Sequence, residues 1–173
     1  MFKWKIFRRN SNKQKVICVT GAVGTGKTYV SKKLAKALNY EYIDVTKLIK
    51  ENKISSGYDK KNKCEIVDIK KLNKFLIEII SGLNSGVIVD SHMSHYLPKK
   101  YVHLCIVTKC DINILNERLK KRKYSKLKIK NNIEAEIFDV CLIESKKNKQ
   151  NVLVLGTTKK VNITNLVEYI KNE

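Results

Sequence analysis

Residues 21–28 constrain the fold of this chain more than any other stretch. They read GAVGTGKT and match the phosphate-binding loop pattern G-x-x-x-x-G-K-[ST] at every fixed position. A short β-branched apolar run precedes the loop at residues 16–19, and apolar residues recur at helical spacing after it. The alternative is a glycine-rich turn with a chance lysine. The flanking pattern instead favours a strand, a phosphate-binding loop and a helix in that order.

The chemistry expected of such a loop follows from its residue types. Glycines let backbone N–H groups surround a phosphate, and the helix N-terminus adds the positive end of its dipole. Lys27 is expected to reach the β- and γ-phosphates of ATP, and the Thr28 hydroxyl is expected to coordinate Mg²⁺. The sequence therefore predicts a nucleotide-binding protein. Its predicted nucleotide-binding residues in this segment are Gly21, Gly24, Thr25, Gly26, Lys27, Thr28 and Tyr29.

Asp90 stands at the end of a second apolar run, residues 87–89. In parallel α/β sheets, ligands bind outside the carboxyl ends of the strands, so Asp90 is expected to face the phosphate-binding loop. An aspartate in that position holds Mg²⁺, either directly or through water. The alternative is an aspartate that ends its strand and caps the next turn. The predicted metal ligands are therefore Thr28 and Asp90.

Strand-like runs alternate with helical patterns through the rest of the chain. The predicted strands are residues 16–19, 41–45, 87–90, 102–107 and 152–155. This alternation predicts an α/β domain with a five-stranded parallel sheet and helices on both faces. The 173 residues are enough for one such domain, which we assign to residues 15–173. Residues 1–14 form a basic extension, either a tail or an arm that contacts RNA.

Two segments interrupt the alternation. Residues 46–52 are predicted to form a short helix. The stretch 55–59 that follows has few apolar side chains, so a mobile flap is expected at about 44–67. After the fourth strand, a helix is expected to begin at an Asp111 N-cap and to carry Arg118 and Arg122 on one face. A basic lid at about 121–131 then precedes another helix, predicted from about Asn132.

The net charge of +20 favours a polyanionic partner such as nucleic acid, but a second explanation is open. Nearly all the basic residues are lysine, and isoleucine and asparagine are also abundant, so a codon bias would raise all three together. Only Arg8, Arg9, Arg118 and Arg122 are arginine, so each arginine carries more information than a lysine.

The cysteine pattern and the apolar runs bear on location. None of the five cysteines forms a C-x-x-C pair, which is most simply explained by a reduced, cytoplasmic protein. No apolar run approaches the length of a membrane span, and no signal-peptide pattern opens the chain. We therefore expect a cytoplasmic protein without a membrane partner.

Several motifs together resemble one family, the adenylate kinase isoenzyme 6 family of archaeal and eukaryotic P-loop NMP kinases. The likeness extends from about Ile17 to Lys147. Besides the phosphate-binding loop, it rests on the order and spacing of Gly57-Tyr58-Asp59, Val89-Asp90-Ser91-His92, Glu117-Arg118-Leu119, Arg122-Lys123-Tyr124 and the stretch 132–138. The family has an Asp-x-His signature where this chain has Asp90 and His92.

The resemblance implies a P-loop NMP-kinase fold with an NMP-binding flap and a short lid. It implies reversible phosphoryl transfer between ATP and AMP with broad nucleotide tolerance, with ATP and Mg²⁺ as cofactors. It also implies a side ATPase activity and a role in late maturation of the small ribosomal subunit and its 16S rRNA. The implied partners there are a ribosomal protein of the subunit platform, pre-ribosomal particles and rRNA.

The resemblance also implies roles for individual residues. Arg122 matches the lid arginine, whose planar fork would bridge donor phosphates as the lid closes. Arg118 either does the same or lies solvated on the helix surface. His92 matches a histidine associated with ATP hydrolysis; it either orients a water or is structural. Lys50 replaces a common arginine in the monophosphate-binding segment. The resemblance therefore implies that AMP binds in this segment. It does not imply tight binding, because lysine lacks the bidentate fork of arginine.

Catalysis in such a site depends on alignment and on neutralising the moving phosphoryl group. The predicted catalytic residues are Lys27, Asp90, His92 and Arg122. His95 and His103 are expected to be ordinary loop and strand residues. Three functions stay open: a nucleoside monophosphate kinase, an ATPase that acts in ribosome assembly, and a P-loop kinase for a small metabolite.

Overall fold

Seven strands appear in the computed structural model, which describes residues 15–60 and 64–173. They are β1 (Val16–Thr20), β2 (Glu41–Asp44), β3 (Ser55–Asp59), β4 (Cys64–Val67), β5 (Val87–Asp90), β6 (Leu104–Lys109) and β7 (Val152–Gly156). Five of them form one sheet in the order β2-β5-β1-β6-β7, and all its pairings are parallel. The predicted five-stranded parallel sheet is confirmed, with β6 beginning and ending two residues later than expected.

Seven α-helices connect these strands in the described part of the chain. They are α1 (Lys27–Leu38), α2 (Val45–Glu51), α3 (Ile69–Ser81), α4 (Ile112–Lys121), α5 (Lys126–Ile137), α6 (Val140–Lys147) and α7 (Ile163–Asn172). The Asp111 N-cap is confirmed, since its side chain accepts hydrogen bonds from the N–H groups of Asn113 and Ile114.

Helix α5 begins earlier than the sequence indicated. We expected it from about Asn132, but it begins at Lys126 because the Ser125 side chain caps it by accepting from the Lys128 N–H. The basic stretch is therefore mostly helical, and only residues 122–125 separate α4 from α5. A run of lysines hid this start, since charge alone does not distinguish a solvated helix from a loop.

The segment predicted as a mobile flap contains a β-hairpin. Strands β3 and β4 pair antiparallel, with Tyr58 opposite Glu65, and a bulge lies between Ser55 and Gly57. The tip, residues 61–63, lies outside the described residues, as does the extension 1–14. The weak apolar pattern concealed the hairpin because backbone pairing, rather than burial, defines it.

The sheet separates two apolar layers. Alternate residues of β1 point to opposite faces: Ile17 and Val19 pack with α1 and α7, whereas Val16 and Cys18 pack with α2 and α3. The predicted helices on both faces are confirmed. A smaller cluster around Leu115 and Leu119 of α4 packs next to the phosphate-binding loop. Within the described ranges, no helix is long and apolar enough to span a membrane.

The first prediction tests this layering by comparing a core position with an edge position. Ile88 in β5 is fully buried, whereas Val154 in the edge strand β7 is 50% exposed. Ile88→Ala should lower the free energy of unfolding by about 2–5 kcal/mol, because it leaves a cavity between packed layers. Val154→Ala should change it by less than about 0.5 kcal/mol. Urea denaturation followed by circular dichroism measures both, and equal losses would contradict the assigned core.

Candidate active site

The sheet order brings the phosphate-binding loop and Asp90 to the same edge. The loop follows β1, and Asp90 ends the neighbouring strand β5, where it pairs in register with Val19. The connections leave β1 and β5 in opposite directions, since the chain passes from β1 to β2 towards one edge of the sheet and from β5 to β6 towards the other. Ligands bind α/β sheets at such a switch point, outside the carboxyl ends of the strands.

The backbone of the loop needs glycine at two tightly packed positions. Gly21 has φ +139°, and a Cβ there would lie 2.6 Å from the Thr108 carbonyl oxygen. Gly24 has φ +96°, and a Cβ there would lie 2.8 Å from a methyl carbon of Leu115. Both the backbone angle and the packed neighbours exclude larger residues. The neighbouring strand and helix therefore fix the shape of the loop.

Thr25 supports this loop from beneath and lines neither of the two cavities described below. Its side chain is fully buried. Its hydroxyl donates to the Ala22 carbonyl at 2.8 Å and lies 2.6 Å from the Thr108 hydroxyl. The Thr157 hydroxyl in turn donates to the Thr25 carbonyl. Thr25 was predicted among the nucleotide-binding residues. Its hydroxyl and its carbonyl bind the protein, and its role towards a nucleotide stays a prediction.

Lys27 is folded back onto the loop. Its ammonium donates to the carbonyls of Gly21 and Ala22, each at 2.9 Å. Desolvation lowers the pKa of Lys27 to about 8, and the Asp90 carboxylate opposes part of that shift. The ammonium is thus held at the place where a phosphate would need a positive charge.

Asp90 is buried and accepts a hydrogen bond at Oδ2 from the Tyr42 hydroxyl, at 2.9 Å. Burial and this contact raise the pKa of Tyr42, so the phenol stays a donor. The turn after β5 is capped by Ser91, whose hydroxyl accepts from the Met93 N–H. Asp90 and Thr28 line the same cavity. One carboxylate and one hydroxyl suit Mg²⁺, which takes few protein oxygens and completes its shell with phosphates and water.

Two cavities meet above the loop. The smaller one has a volume of about 560 Å³ and lies between α4 and residues 157–161. The larger one has a volume of about 790 Å³ and lies between the loop, the β3–β4 hairpin and α5. Four residues line both cavities: Gly24, Gly26, Tyr29 and Arg122. The loop and Arg122 therefore stand at their junction.

One of the two expectations for Arg118 was a solvated position on the helix surface. The structure instead places it in contacts with the protein. It lines the smaller cavity, and its guanidinium donates to the Thr157 carbonyl at 2.8 Å and to Cys110 Sγ at 3.3 Å. It therefore ties the loop after β7 to α4. Arg122, one turn later, forms the C-cap of α4 and reaches the junction of the cavities.

The two histidines after Asp90 differ in environment. His92 is exposed to the larger cavity, yet desolvation by the surrounding protein, together with the Lys27 charge, lowers the pKa of its imidazole to about 4. His95 is buried, with Nδ1 2.8 Å from the Thr20 hydroxyl and Nε2 3.0 Å from a Glu144 oxygen. We expected His95 to be an ordinary loop residue, but it braces the last residue before the phosphate-binding loop.

Sequence reasoning missed several residues of the site. Asn132 of α5 accepts a hydrogen bond at Oδ1 from the Val23 N–H, at 3.3 Å, so α5 contacts the loop directly. Residues 157–161 form one wall of the smaller cavity, and Glu65 lines the larger one. Lys50, which was predicted, also lines the larger cavity and is exposed at its edge. These residues lie far from the phosphate-binding loop in sequence. Asn132 stands in the stretch 132–138 that carries the family resemblance and Glu65 in the predicted flap, but no pattern gave either of them a place in the site.

Comparisons with known proteins agree with this geometry. A family model described as an AAA domain matches residues 17–139. The chain is 39% identical over 154 residues to the protein named "Putative adenylate kinase" of Methanocaldococcus jannaschii, covering 89% of this chain and 82% of that protein. It is 32% identical over 138 residues to the adenylate kinase isoenzyme 6 homolog of Caenorhabditis elegans, covering 80% and 76%.

Solved structures show the same fold at low identity. The shikimate kinase of Bacteroides thetaiotaomicron superposes with a TM-score of 0.54 at 16% identity, covering 91% of this chain and 97% of that one. The deoxyadenosine kinase of M. mycoides, solved with bound dATP, superposes with a TM-score of 0.51 at 15% identity, covering 92% and 98%. Both are kinases.

The second prediction follows from the lowered pKa of Lys27, which is about 8. A bound phosphate stabilises the charged form and raises this pKa, so ATP binding should take up a proton above pH 8. The ATP dissociation constant should be constant from pH 7 to about 7.5. It should then rise by up to about tenfold for each further pH unit. Isothermal titration calorimetry in two buffers of different ionisation enthalpy measures both affinity and proton uptake.

Two variants control this experiment. Lys27→Met should bind ATP weakly and without this pH dependence. Lys36→Met removes an exposed lysine from the same helix and should reproduce the wild-type profile. A wild-type affinity that does not change between pH 7 and pH 9 would contradict the assignment of a lowered pKa to Lys27.

Proposed function

Since the chain belongs to the adenylate kinase isoenzyme 6 family, we propose that it is a cytoplasmic nucleoside monophosphate kinase that catalyses reversible phosphoryl transfer from ATP to AMP. The observation that carries the proposal is the meeting of two cavities at the phosphate-binding loop and Arg122. A transfer between two nucleotides requires two such sites with their phosphates facing each other. Other nucleoside monophosphates are included as acceptors.

On the donor side, the ATP phosphates would lie on the loop and the base in the smaller cavity. Lys27 would exchange its two carbonyl contacts for the β- and γ-phosphates. The exchange is favourable because an ammonium bound only to neutral carbonyls gains an anionic partner. Arg118 and the wall formed by residues 157–161 would enclose the base, and their mutual hydrogen bond fixes the width of that slot.

On the acceptor side, the monophosphate would lie in the larger cavity with its phosphate towards the loop. The flap of residues 44–67 contains the hairpin, and Lys50 at the cavity edge supplies positive charge. The lid of residues 121–131 contains Arg122, which would contact the transferring phosphoryl group from the junction. Mg²⁺, held by Thr28 and Asp90 together with the phosphates, would neutralise charge on the donor.

We include a slower ATPase activity in the proposal because His92 faces the same cavity. With a pKa of about 4, its imidazole is neutral at physiological pH and can accept a hydrogen bond from a water molecule. Such a water could occupy the place of the acceptor phosphate. An ATPase without kinase activity is the alternative function, and His92 is the observation that favours it.

We also propose a role in late maturation of the small ribosomal subunit, with a platform ribosomal protein, pre-ribosomal particles and rRNA as partners. The net charge of +20 supports an anionic partner. Neutralising RNA phosphates with lysines releases counterions, which provides affinity without sequence recognition.

The third prediction tests the kinase itself. Purified protein with ATP and Mg²⁺ should form ADP much faster when AMP is present, and Lys27→Ala should reduce that rate by at least about 100-fold. Lys33→Ala removes an exposed lysine from the same helix and should leave the rate unchanged. ADP formation that is independent of AMP would contradict the kinase and favour the ATPase. Circular dichroism confirms that both variants remain folded.

The fourth prediction separates the two activities. His92→Ala should lower AMP-independent hydrolysis more than AMP-dependent transfer, because only hydrolysis needs a positioned water. We expect a loss of roughly 10- to 100-fold in hydrolysis and less than about threefold in transfer. Both rates are measured on one preparation. Equal losses would mean that His92 supports the site without positioning water.

A further inference from the structure

Strand β7 forms one edge of the parallel sheet, and the backbone groups on its outer side are unpaired. The Thr157 N–H, directly after the strand, donates to the Lys109 carbonyl of β6. Because the direction of the backbone groups alternates along a strand, odd-numbered residues face β6. Val152, Val154 and Gly156 therefore direct their N–H and C=O groups away from the sheet. These groups have no hydrogen-bonding partner in residues 15–60 and 64–173.

This edge lacks the devices that normally prevent strand pairing. Soluble proteins protect exposed edges with charged side chains, proline or bulges. The opposite edge strand, β2, carries Glu41 and Asp44 at its two ends. By contrast, β7 reads VLVLG and pairs with β6 in an uninterrupted register, although 30% of the residues in the chain are charged. An uncharged, regular edge in so charged a chain favours a strand that binds a partner.

The side chains along the edge leave room for another strand. Val154 is 50% exposed, and a Cβ built at Gly156 would meet no atom within 4 Å. Val152 lies on the same face as Val154, where it and Leu142 of α6 are partly buried against the core. Neighbouring strands pack their side chains against each other on each face of a sheet. An added strand would therefore place apolar side chains beside Val154.

Unpaired lysines stand at both ends of the strand. Lys149 precedes it, and Lys159 and Lys160 follow it; all three are exposed. Their ammonium groups form no ion pair or hydrogen bond within the described part of the chain. Glu173 lies near the start of the strand, but its carboxylate accepts from the Asn151 amide at 3.0 Å. Acidic residues at the ends of a partner segment would complement these lysines.

The same lysines disfavour a second copy of this chain as the occupant. A two-fold dimer would pair β7 with itself in antiparallel orientation. In the register that pairs the whole strand, Val154 lies opposite itself and Lys149 lies opposite Lys159 of the other copy. Like charges that face each other across two strands are destabilising. The charges therefore favour a different, acidic chain.

We propose that the outer edge of β7 binds an extended segment of another protein, which adds to the sheet as a further strand. The segment is apolar at alternate positions, where it contacts Val154, and acidic at its ends, where it meets the three lysines. Backbone hydrogen bonds to the outward-facing residues provide affinity, and the side chains provide specificity. This inference is independent of the kinase proposal, because strand addition requires no nucleotide.

The probe is a short fluorescein-labelled peptide with glutamate at both ends and valine alternating with threonine between them. Fluorescence anisotropy should give a dissociation constant of roughly 10–100 µM for the wild-type protein. The same peptide with lysine at both ends should bind at least about tenfold more weakly, because it repels the lysines of the edge. No binding of the acidic peptide, or equal binding of the two peptides, would overturn the proposal.

Peptides methylated on the backbone nitrogens of every second residue test the pairing itself and leave the protein unchanged. An added strand uses only the N–H groups that face β7. Methylation of one alternate set should therefore weaken binding by at least about tenfold, and methylation of the other set by less than about threefold. Equal losses for the two sets would mean that the peptide does not bind as a strand.

Val154→Pro tests the protein side of the same bonds. It removes an N–H that points outward and no bond to β6, so the fold should be retained, as circular dichroism would confirm. Peptide binding should fall by at least about tenfold. Val154→Thr is the matched control: it retains the N–H and a β-branched side chain, and should bind within about threefold of wild type. Equal affinities of Val154→Pro and wild type would contradict the assigned edge.

Sedimentation velocity tests the alternative occupant. The wild-type protein should sediment as a monomer at the concentrations used for peptide binding. A dimer that Val154→Pro converts to a monomer would show that a second copy covers the edge, and would overturn the proposal of a partner protein.

Discussion

The backbone of the phosphate-binding loop, held by buried hydroxyl groups, is the constraint on which the rest of the site depends. Hydrogen bonds among Thr25, Thr108 and Thr157 connect the loop to β6 and to the end of β7. All three side chains are buried, so water does not compete for these contacts. Since Gly21 and Gly24 have positive φ angles, the loop would gain conformational freedom without these contacts. A rigid loop keeps its N–H groups oriented before a phosphate arrives, which lowers the cost of binding.

Helix α4 couples this loop to both cavities. Leu115 and Leu119 pack beneath Gly24, Arg118 holds the wall of the smaller cavity, and Arg122 stands at the junction. The four positions span two turns of one helix, so their relative placement follows from helix geometry. Any displacement of α4 would therefore change the loop, the smaller cavity and the position of Arg122 together.

The electrostatics of the site combine strong positive charge with a few placed carboxylates. Lys27, Lys50, Lys128 and Arg122 line the larger cavity, which suits an anionic ligand. Within it, Asp90 opposes the desolvation of Lys27 and keeps more of its charge. Glu65 lies on the hairpin and lines the same cavity. The lining of this cavity thus combines four basic side chains with the carboxylates of Asp44, Glu65 and Asp90.

The sequence by itself determined the strand–loop–helix unit, the parallel sheet, the positions of Lys27 and Asp90 and the Asp111 cap, because each is encoded within a few neighbouring residues. Only the tertiary structure decided the features that join distant segments. These are the His95–Glu144 contact, the bond from Arg118 to Thr157, the Asn132 contact with the loop and the inward face of the β3–β4 hairpin. The physical reason is that a local pattern fixes backbone geometry, whereas the partner of a buried polar group depends on which elements the sheet order brings together.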